Sequence, residues 1–246
     1  MESTKIDIGI DPTRIPSHVA IIMDGNRRWA VEHDLKYIEG HKEALKRIEE
    51  LVDFSARIGV KHLTLWAWST KNWKRSQDFI DDILFLFREN LHPDGIFKRV
   101  VEKGAELHHI GSLDRFPKDI QEKVVEFLKT KPKEKHIDLN LAVGYEGRDE
   151  IVRAVQKIVK TGIKPEEITQ DLINQNLDTA NQPDVDFLIR TGGEKRTSGY
   201  LIWQSADAEY YFTDTLMPNF TIEEYTKALV DYSKRERRMG GDSKKY

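Results

Sequence analysis

At 246 residues with no cysteine, the chain excludes disulfides, thiolate nucleophiles and thiolate metal centres. A hydrophobic content of 39% against 33% charged residues is that of an ordinary globular domain, and a formal net charge of −3 argues against general nucleic-acid binding. No run approaches the roughly 18 apolar residues of a membrane span, and Met1-Glu2-Ser3-Thr4-Lys5 lacks a signal peptide's apolar core, so a cytoplasmic location is expected.

The first predicted strand, His18–Met23, is a continuous apolar run of the kind buried on both faces of a sheet. It ends in Asp24-Gly25-Asn26-Arg27-Arg28-Trp29. Asp-Gly and Gly-Asn are common turn pairs, so a solvated turn is the plain alternative. The arginine pair argues otherwise. Helix starts prefer acids, cations there oppose the macrodipole, and a bound anion relieves the conflict. A helix is predicted over Gly40–Ile58, where Leu45, Ile48, Leu51, Val52, Ser55 and Ile58 share a face and Gly59 is the stop.

The second strand, His62–Trp68, leads into Ser69-Thr70-Lys71-Asn72-Trp73-Lys74-Arg75. Aromatics beside cations suit a ligand with an apolar body and a charged head; an exposed loop with Ser/Thr capping is the alternative. A long helical pattern over Asp78–Val101 should break at Pro93. Strands follow at Glu106–Ile110 and Ile137–Val143, with helices near Pro117–Lys129, Arg148–Lys160 and Thr169–Asn176. The pair His108-His109 lies in a strand pattern, so only one ring can face any given side, and no His-Glu-x-x-His motif is present.

The fifth strand, Val185–Arg190, opens into Thr191-Gly192-Gly193-Glu194-Lys195-Arg196-Thr197-Ser198. Glycines let backbone N–H groups approach an anion, and arginine grips phosphate bidentately. The loop lacks the Gly-Lys-Ser/Thr order of a nucleotide P-loop. A sixth strand is expected at Tyr200–Trp203, followed by Glu209 among aromatic residues. Asp24 with Glu209 could make a hard, oxygen-rich site for Mg²⁺, which takes one or two carboxylates plus phosphates and keeps several waters. A last helix over Thr221–Arg237 ends before Gly240-Gly241. Strand–helix alternation throughout predicts an α/β fold: one domain, with a mostly parallel central sheet of about six strands covered by helices. Ligands in such sheets sit at the carboxyl ends of the strands.

Together these loops resemble the cis-prenyltransferase family. His18–Trp29 is similar to its first motif; Ser69, Asn72, Trp73 and Arg75 to its second; Arg190–Ser198 to its basic motif; Trp203–Ala206 with Ala208-Glu209 to the stretch carrying a metal-linked acid; and Arg235–Gly241, with Arg238 and Gly240, to its C-terminal signature. The match runs from Pro16 to Gly241, leaving residues 1–15 as an N-terminal extension and 242–246 as a tail.

The resemblance implies an Mg²⁺-dependent condensation. An allylic prenyl diphosphate loses pyrophosphate, C4 of isopentenyl diphosphate attacks, and loss of a proton leaves a cis double bond in a polyprenyl diphosphate, the precursor of a lipid carrier. By the same resemblance Asp24 holds Mg²⁺ and assists diphosphate departure, with Glu209 aiding the metal from its own or a partner subunit. Gly25, Asn26, Arg27, Arg28 and His41 cradle the allylic diphosphate; Arg190, Arg196, Thr197 and Ser198 grip isopentenyl diphosphate. Ser69, Thr70, Lys71 and Arg75 flank the substrates, and Trp29 and Trp73 contact or wall them. Asn72 stands where the family's proton acceptor is placed; a neutral amide is a poor base, which favours positioning, with pyrophosphate taking the proton. A homodimer is implied, with Arg238 and Gly240 near the neighbour's site, and an apolar product implies peripheral membrane association.

The sequence also departs from the family pattern. Tyr37 replaces an arginine, Lys71 a glutamate and Gly199 an asparagine, while Leu45 and Leu139 are bulky where a tunnel or a core would use them. The Tyr37 and Lys71 departures keep open an irregular or short-chain prenyl synthase joining two allylic diphosphates or using another acceptor; a non-catalytic subunit is the alternative from a different class. The presence of Asp24 and Asn72 argues against the second.

Overall fold

The computed structural model describes residues 6–242. Six strands form one parallel sheet in the order β3-β4-β2-β1-β5-β6. In chain order the elements are β1 (His18–Ile22), α1 (Asn26–Glu32), α2 (Tyr37–Ile58), β2 (His62–Ser69), α3 (Gln77–Asn90), α4 (Ile96–Glu102), β3 (Ala105–Ile110), α5 (Lys118–Lys129), β4 (Ile137–Tyr145), α6 (Gly147–Lys160), α7 (Gln170–Asn174), β5 (Phe187–Arg190), β6 (Glu209–Phe212) and α8 (Ile222–Ser233). The expected α/β architecture, its parallel sheet and its strand count are all observed.

The chain runs outward from β1 to β2 on one side and from β5 to β6 on the other, so β1 and β5 flank the point where strand order reverses. That crevice is the preferred ligand position of open parallel sheets. The larger core lies on one face, where Val19, Ile21, Leu63, Leu65, Leu139 and Ile189 meet the buried sides of α2, α3, α4 and α8. The opposite face carries a smaller apolar cluster around Ala20, Ile22, Ala142, Leu188 and Tyr200. Residues 6–15, expected as an extension, pack on the domain: Ile10 is buried in the larger core. The C-terminal tail falls almost wholly outside the described residues.

The long helical pattern breaks as Pro93 requires, with α3 ending at Asn90 and α4 beginning at Ile96. Two expectations are corrected. Tyr200–Trp203 is turn rather than strand: Leu201 takes φ 45°, a left-handed conformation that no strand sustains. Its apolar residues are buried for another reason, since Tyr200 stacks on Trp66 with centroids 4.8 Å apart. The sixth strand is instead the aromatic run Glu209–Phe212, and α8 stops at Ser233 rather than at Arg237.

Candidate active site

The carboxyl ends of β1, β2 and β5 converge on a cavity of about 810 Å³. Its mouth is lined by Asp24, Gly25, Asn26, Arg27, Arg28, Tyr37, His41, Ser69, Lys71, Asn72, Arg75, Arg190, Arg196 and Ser198. Its interior is walled by Leu45, Ile48, Ile83, Leu86, Phe97 and Leu141. Six cations against two lining carboxylates, Asp24 and Glu32, give the mouth an anion-binding field, while the interior accepts hydrocarbon.

Asp24 is fixed from several directions. Its backbone N–H donates to Thr191 Oγ1 at 2.9 Å, and the Thr191 hydroxyl lies 2.7 Å from the Asp24 carbonyl oxygen. Its carboxylate accepts from the Gly25 N–H at 2.7 Å, from Arg28 at 3.3 Å and from Arg190 Nη2 at 2.9 Å. The Arg190 side chain is only 6% exposed, whereas that of Asp24 is 33% exposed. Arg190 also donates to Ser198 Oγ at 2.9 Å and to the Arg196 carbonyl, so one guanidinium ties the basic loop to β1. Its Nε is buried with no hydrogen-bond partner among the described residues. Gly192 lets this packing close: at its φ of +83°, a Cβ would sit 2.6 Å from an Arg28 guanidinium nitrogen.

On the helical side, α1 and α2 cross at Gly40, where a Cβ would meet the Asn26 carbonyl oxygen at 2.0 Å. The close crossing brings His41 beside the α1 arginines. Burial lowers the His41 pKa, and the Arg27 and Arg75 charges add to that effect, so the ring is held neutral. Its Nδ1 lies 3.0 Å from the Tyr37 carbonyl, which makes Nδ1 the donor. Tyr37 acts as a platform for a cation: the Arg27 guanidinium carbon lies 4.2 Å from the ring centroid. Asn72 Oδ1 accepts from the Ser69 N–H at 2.7 Å, which directs the amide's donor end away from that bond. Lys71 bridges loops, with its ammonium 3.5 Å from the Ser198 carbonyl and 3.9 Å from Glu146.

Several expected residues lie off the cavity wall. Trp29 donates to Asn219 at 2.9 Å and stacks on His33. Trp73 packs edge-on against Trp68 and Phe116. Thr70 and Thr197 are half-buried in their loops. Glu209 is a correction to the expected Asp24–Glu209 pairing within one chain. It begins β6 in register with Phe187, whereas Phe212 pairs with Arg190. Glu209 therefore sits three residues back along the strand, about 10 Å toward the opposite edge of the sheet. Its partner there is Arg235, at 2.8 Å. Arg238 and Gly240 are exposed and line no part of this cavity. The sequence reading missed Thr191, whose only signal was its place directly after a buried strand, and Glu32, one helical turn beyond Arg28.

A cationic mouth over an apolar interior, at the switch point of a parallel sheet, defines a site for diphosphate-bearing hydrocarbons. A family model described as "Putative undecaprenyl diphosphate synthase" matches residues 22–240, and the chain belongs to this family of cis-prenyl transferases. It is 44% identical over 229 residues to an isoprenyl transferase of Aquifex pyrophilus, covering 92% of this chain and 96% of the relative. It is 39% identical over 238 residues to ditrans,polycis-undecaprenyl-diphosphate synthase ((2E,6E)-farnesyl-diphosphate specific) of Pasteurella multocida, covering 95% and 98%. The crystal structure of lavandulyl diphosphate synthase from Lavandula x intermedia in complex with dimethylallyl diphosphate is similar with a TM-score of 0.87 at 32% identity, covering 93% of this chain and 99% of that one.

Proposed function

We propose that the protein condenses isopentenyl diphosphate with an allylic prenyl diphosphate to make a cis-polyprenyl diphosphate. The carrying observation is the division of one cavity into a mouth with six cations and an apolar interior. Arg27, Arg28 and the start of α1 bind the allylic diphosphate, and neutral His41 adds a hydrogen-bonding edge. Arg190, Arg196 and Ser198 bind the second diphosphate. As the allylic C1–O bond breaks, these fixed cations meet the charge developing on the leaving pyrophosphate and need no reorganisation to do so. The new bond forms between C4 of isopentenyl diphosphate and the allylic C1, and the proton lost from C2 goes to pyrophosphate. Asn72, held by its bond to the Ser69 N–H, orients the acceptor rather than taking that proton.

The donor set suits Mg²⁺: one partly exposed carboxylate, Asp24, beside sites for diphosphate oxygens. When bound, the ion neutralises diphosphate charge. Glu209, on the edge strand β6, and the exposed Arg238–Gly240 segment lie off this chain's own cavity and would serve the neighbouring protomer of a homodimer. No helix among the described residues is long and apolar enough to cross a membrane; an apolar product supports peripheral association instead.

The test is incubation of the purified protein with Mg²⁺, labelled isopentenyl diphosphate and short allylic diphosphates in turn, followed by product length and stereochemistry. Cis products that require both substrates are expected. Absence of any prenyl product overturns the proposal. A second reading, coupling of two allylic diphosphates, rests on Tyr37 standing under Arg27. It predicts products from an allylic diphosphate alone.

A further inference from the structure

The amino-terminal edge of the sheet, opposite the cavity, carries a second constellation of ligating side chains. Parallel register places His62, Asp138 and Glu106 abreast on β2, β4 and β3. Registered residues of parallel strands share a face, and His108, two residues beyond Glu106, shares it too. His108 Nε2 lies 2.7 Å from Asp138 Oδ1, and His62 Nδ1 lies 3.6 Å from Asp138 Oδ2. Ligand atoms of Glu106, His108 and Asp138 all fall within 4.8 Å of one another. His62 Nδ1 is buried and makes no hydrogen bond among the described residues.

Two lysines compensate the carboxylates. Lys135 Nζ lies 2.8 Å from Asp138 and 3.4 Å from Glu106, and Lys131 Nζ lies 2.7 Å from Glu106. Both belong to the segment that follows α5, and their side chains are 48% and 57% exposed. Each can swing into water without disturbing the core, uncovering two negative charges beside two imidazoles.

We propose that Glu106, His108 and Asp138, with His62 as fourth ligand, form a binding site for a divalent transition-metal ion of the zinc class, with Lys131 and Lys135 as displaceable counter-charges. Two imidazole nitrogens and two carboxylate oxygens are a borderline donor set, suited to Zn²⁺ or Co²⁺ rather than to Mg²⁺. Metal–ligand bonds of about 2.0–2.2 Å put tetrahedral donors roughly 3.3 Å apart. Glu106, His108 and Asp138 already lie within 4.8 Å of one another and His62 Nδ1 lies 3.6 Å from Asp138, so side-chain rotation of His62 toward the other two completes the set. The ligands come from three adjacent strands, so the bound ion would clamp the sheet edge and has no part in prenyl transfer.

The test is titration of the metal-free, full-length protein with Co²⁺ in excess Mg²⁺, read by visible absorption and equilibrium dialysis. One Co²⁺ per chain with a tetrahedral spectrum is expected, displaced by Zn²⁺. Substituting a half-exposed ligand, His108→Ala or the milder His108→Gln, should weaken binding about tenfold or more, with circular dichroism confirming the fold. Lys135→Met should tighten binding, because it removes a competing ammonium. Asp24→Ala should leave it unchanged. No saturable Co²⁺ binding in either wild type or Lys135→Met overturns the proposal. So does binding that His108→Ala leaves as tight as in the wild type, or that disappears with Asp24→Ala.

Discussion

Arg190 Nη2 donates to Asp24 Oδ2 across 2.9 Å, joining the carboxyl ends of β5 and β1 where the sheet's strand order reverses. The nearly buried guanidinium depends on this carboxylate for part of its compensation, and the carboxylate depends on the guanidinium for its aim into the cavity. Asp24→Ala removes both the metal-suited oxygen and the aim. Turnover should fall by about 10²–10³-fold or more, the scale of losing a preorganised electrostatic group. Stability should fall by only about 1–3 kcal/mol, because Asp24 is partly exposed and Arg190 keeps Ser198 and the Arg196 carbonyl. Activity assays paired with thermal denaturation check this; a folded variant with wild-type turnover refutes the role of Asp24.

Arg190 divides its donors among Asp24, Ser198 and the Arg196 carbonyl, a task that needs a planar fork. Arg190→Lys keeps the charge and loses that geometry. The KM for isopentenyl diphosphate should rise about 10–100-fold, one or two charge-assisted hydrogen bonds' worth, while KM for the allylic substrate moves much less. Equal shifts in both would place Arg190 at a shared structural hub instead of the second diphosphate.

Much of this site was legible in the sequence because parallel strands buried on both faces read as continuous apolar runs, and the residues that end them are the ones that reach the ligand crevice. Asp24, Ser69 and Arg190 were found that way. The same logic misassigned Tyr200–Trp203, since an apolar run of four residues also serves a buried turn. That shift placed Glu209 after a strand when it begins one, so its position at the opposite edge could not be foreseen. Motif spacing also says nothing about side-chain direction. Trp29 and Trp73 lie in the right segments, but Asn219 and an aromatic cluster claim their rings.

His18 links the fold to pH. Its ring is fully buried, with Nδ1 2.9 Å from the Pro183 carbonyl and Nε2 2.7 Å from Thr64 Oγ1. The carbonyl can only accept, so Nδ1 carries the proton. Asn140 donates to Thr64 Oγ1 at 2.9 Å, leaving the Thr64 hydroxyl to donate to Nε2. Burial lowers the His18 pKa to about 4 from an ordinary 6.5. Between those values the unfolded chain binds the proton and the folded one does not, so stability rises with pH across that window and is lost as pH falls from 6.5 toward 4. The loss should be on the order of 3 kcal/mol. Denaturant unfolding at stepped pH should show this slope, and NMR should show a His18 ring that stays neutral at pH 6. A ring titrating near 6.5 contradicts it.

Leu45 and Leu139 separate tunnel from core. Leu45 lines the cavity from α2 together with Ile48, and Leu141 and Phe97 line it too. Leu139 is fully buried near the start of β4, paired with Leu63 and Leu107, and lines no part of the cavity. Leu45→Ala opens space where a growing chain would lie, so products should lengthen while the melting temperature changes little. Leu139→Ala leaves a hole in close-packed core and should cost about 2–5 kcal/mol, with product length unchanged. Product analysis beside thermal denaturation distinguishes the two. If Leu139→Ala lengthens products and Leu45→Ala only destabilises, the apolar half of the cavity is not where the chain grows, and hydrocarbon would have to leave past the exposed residues of the mouth.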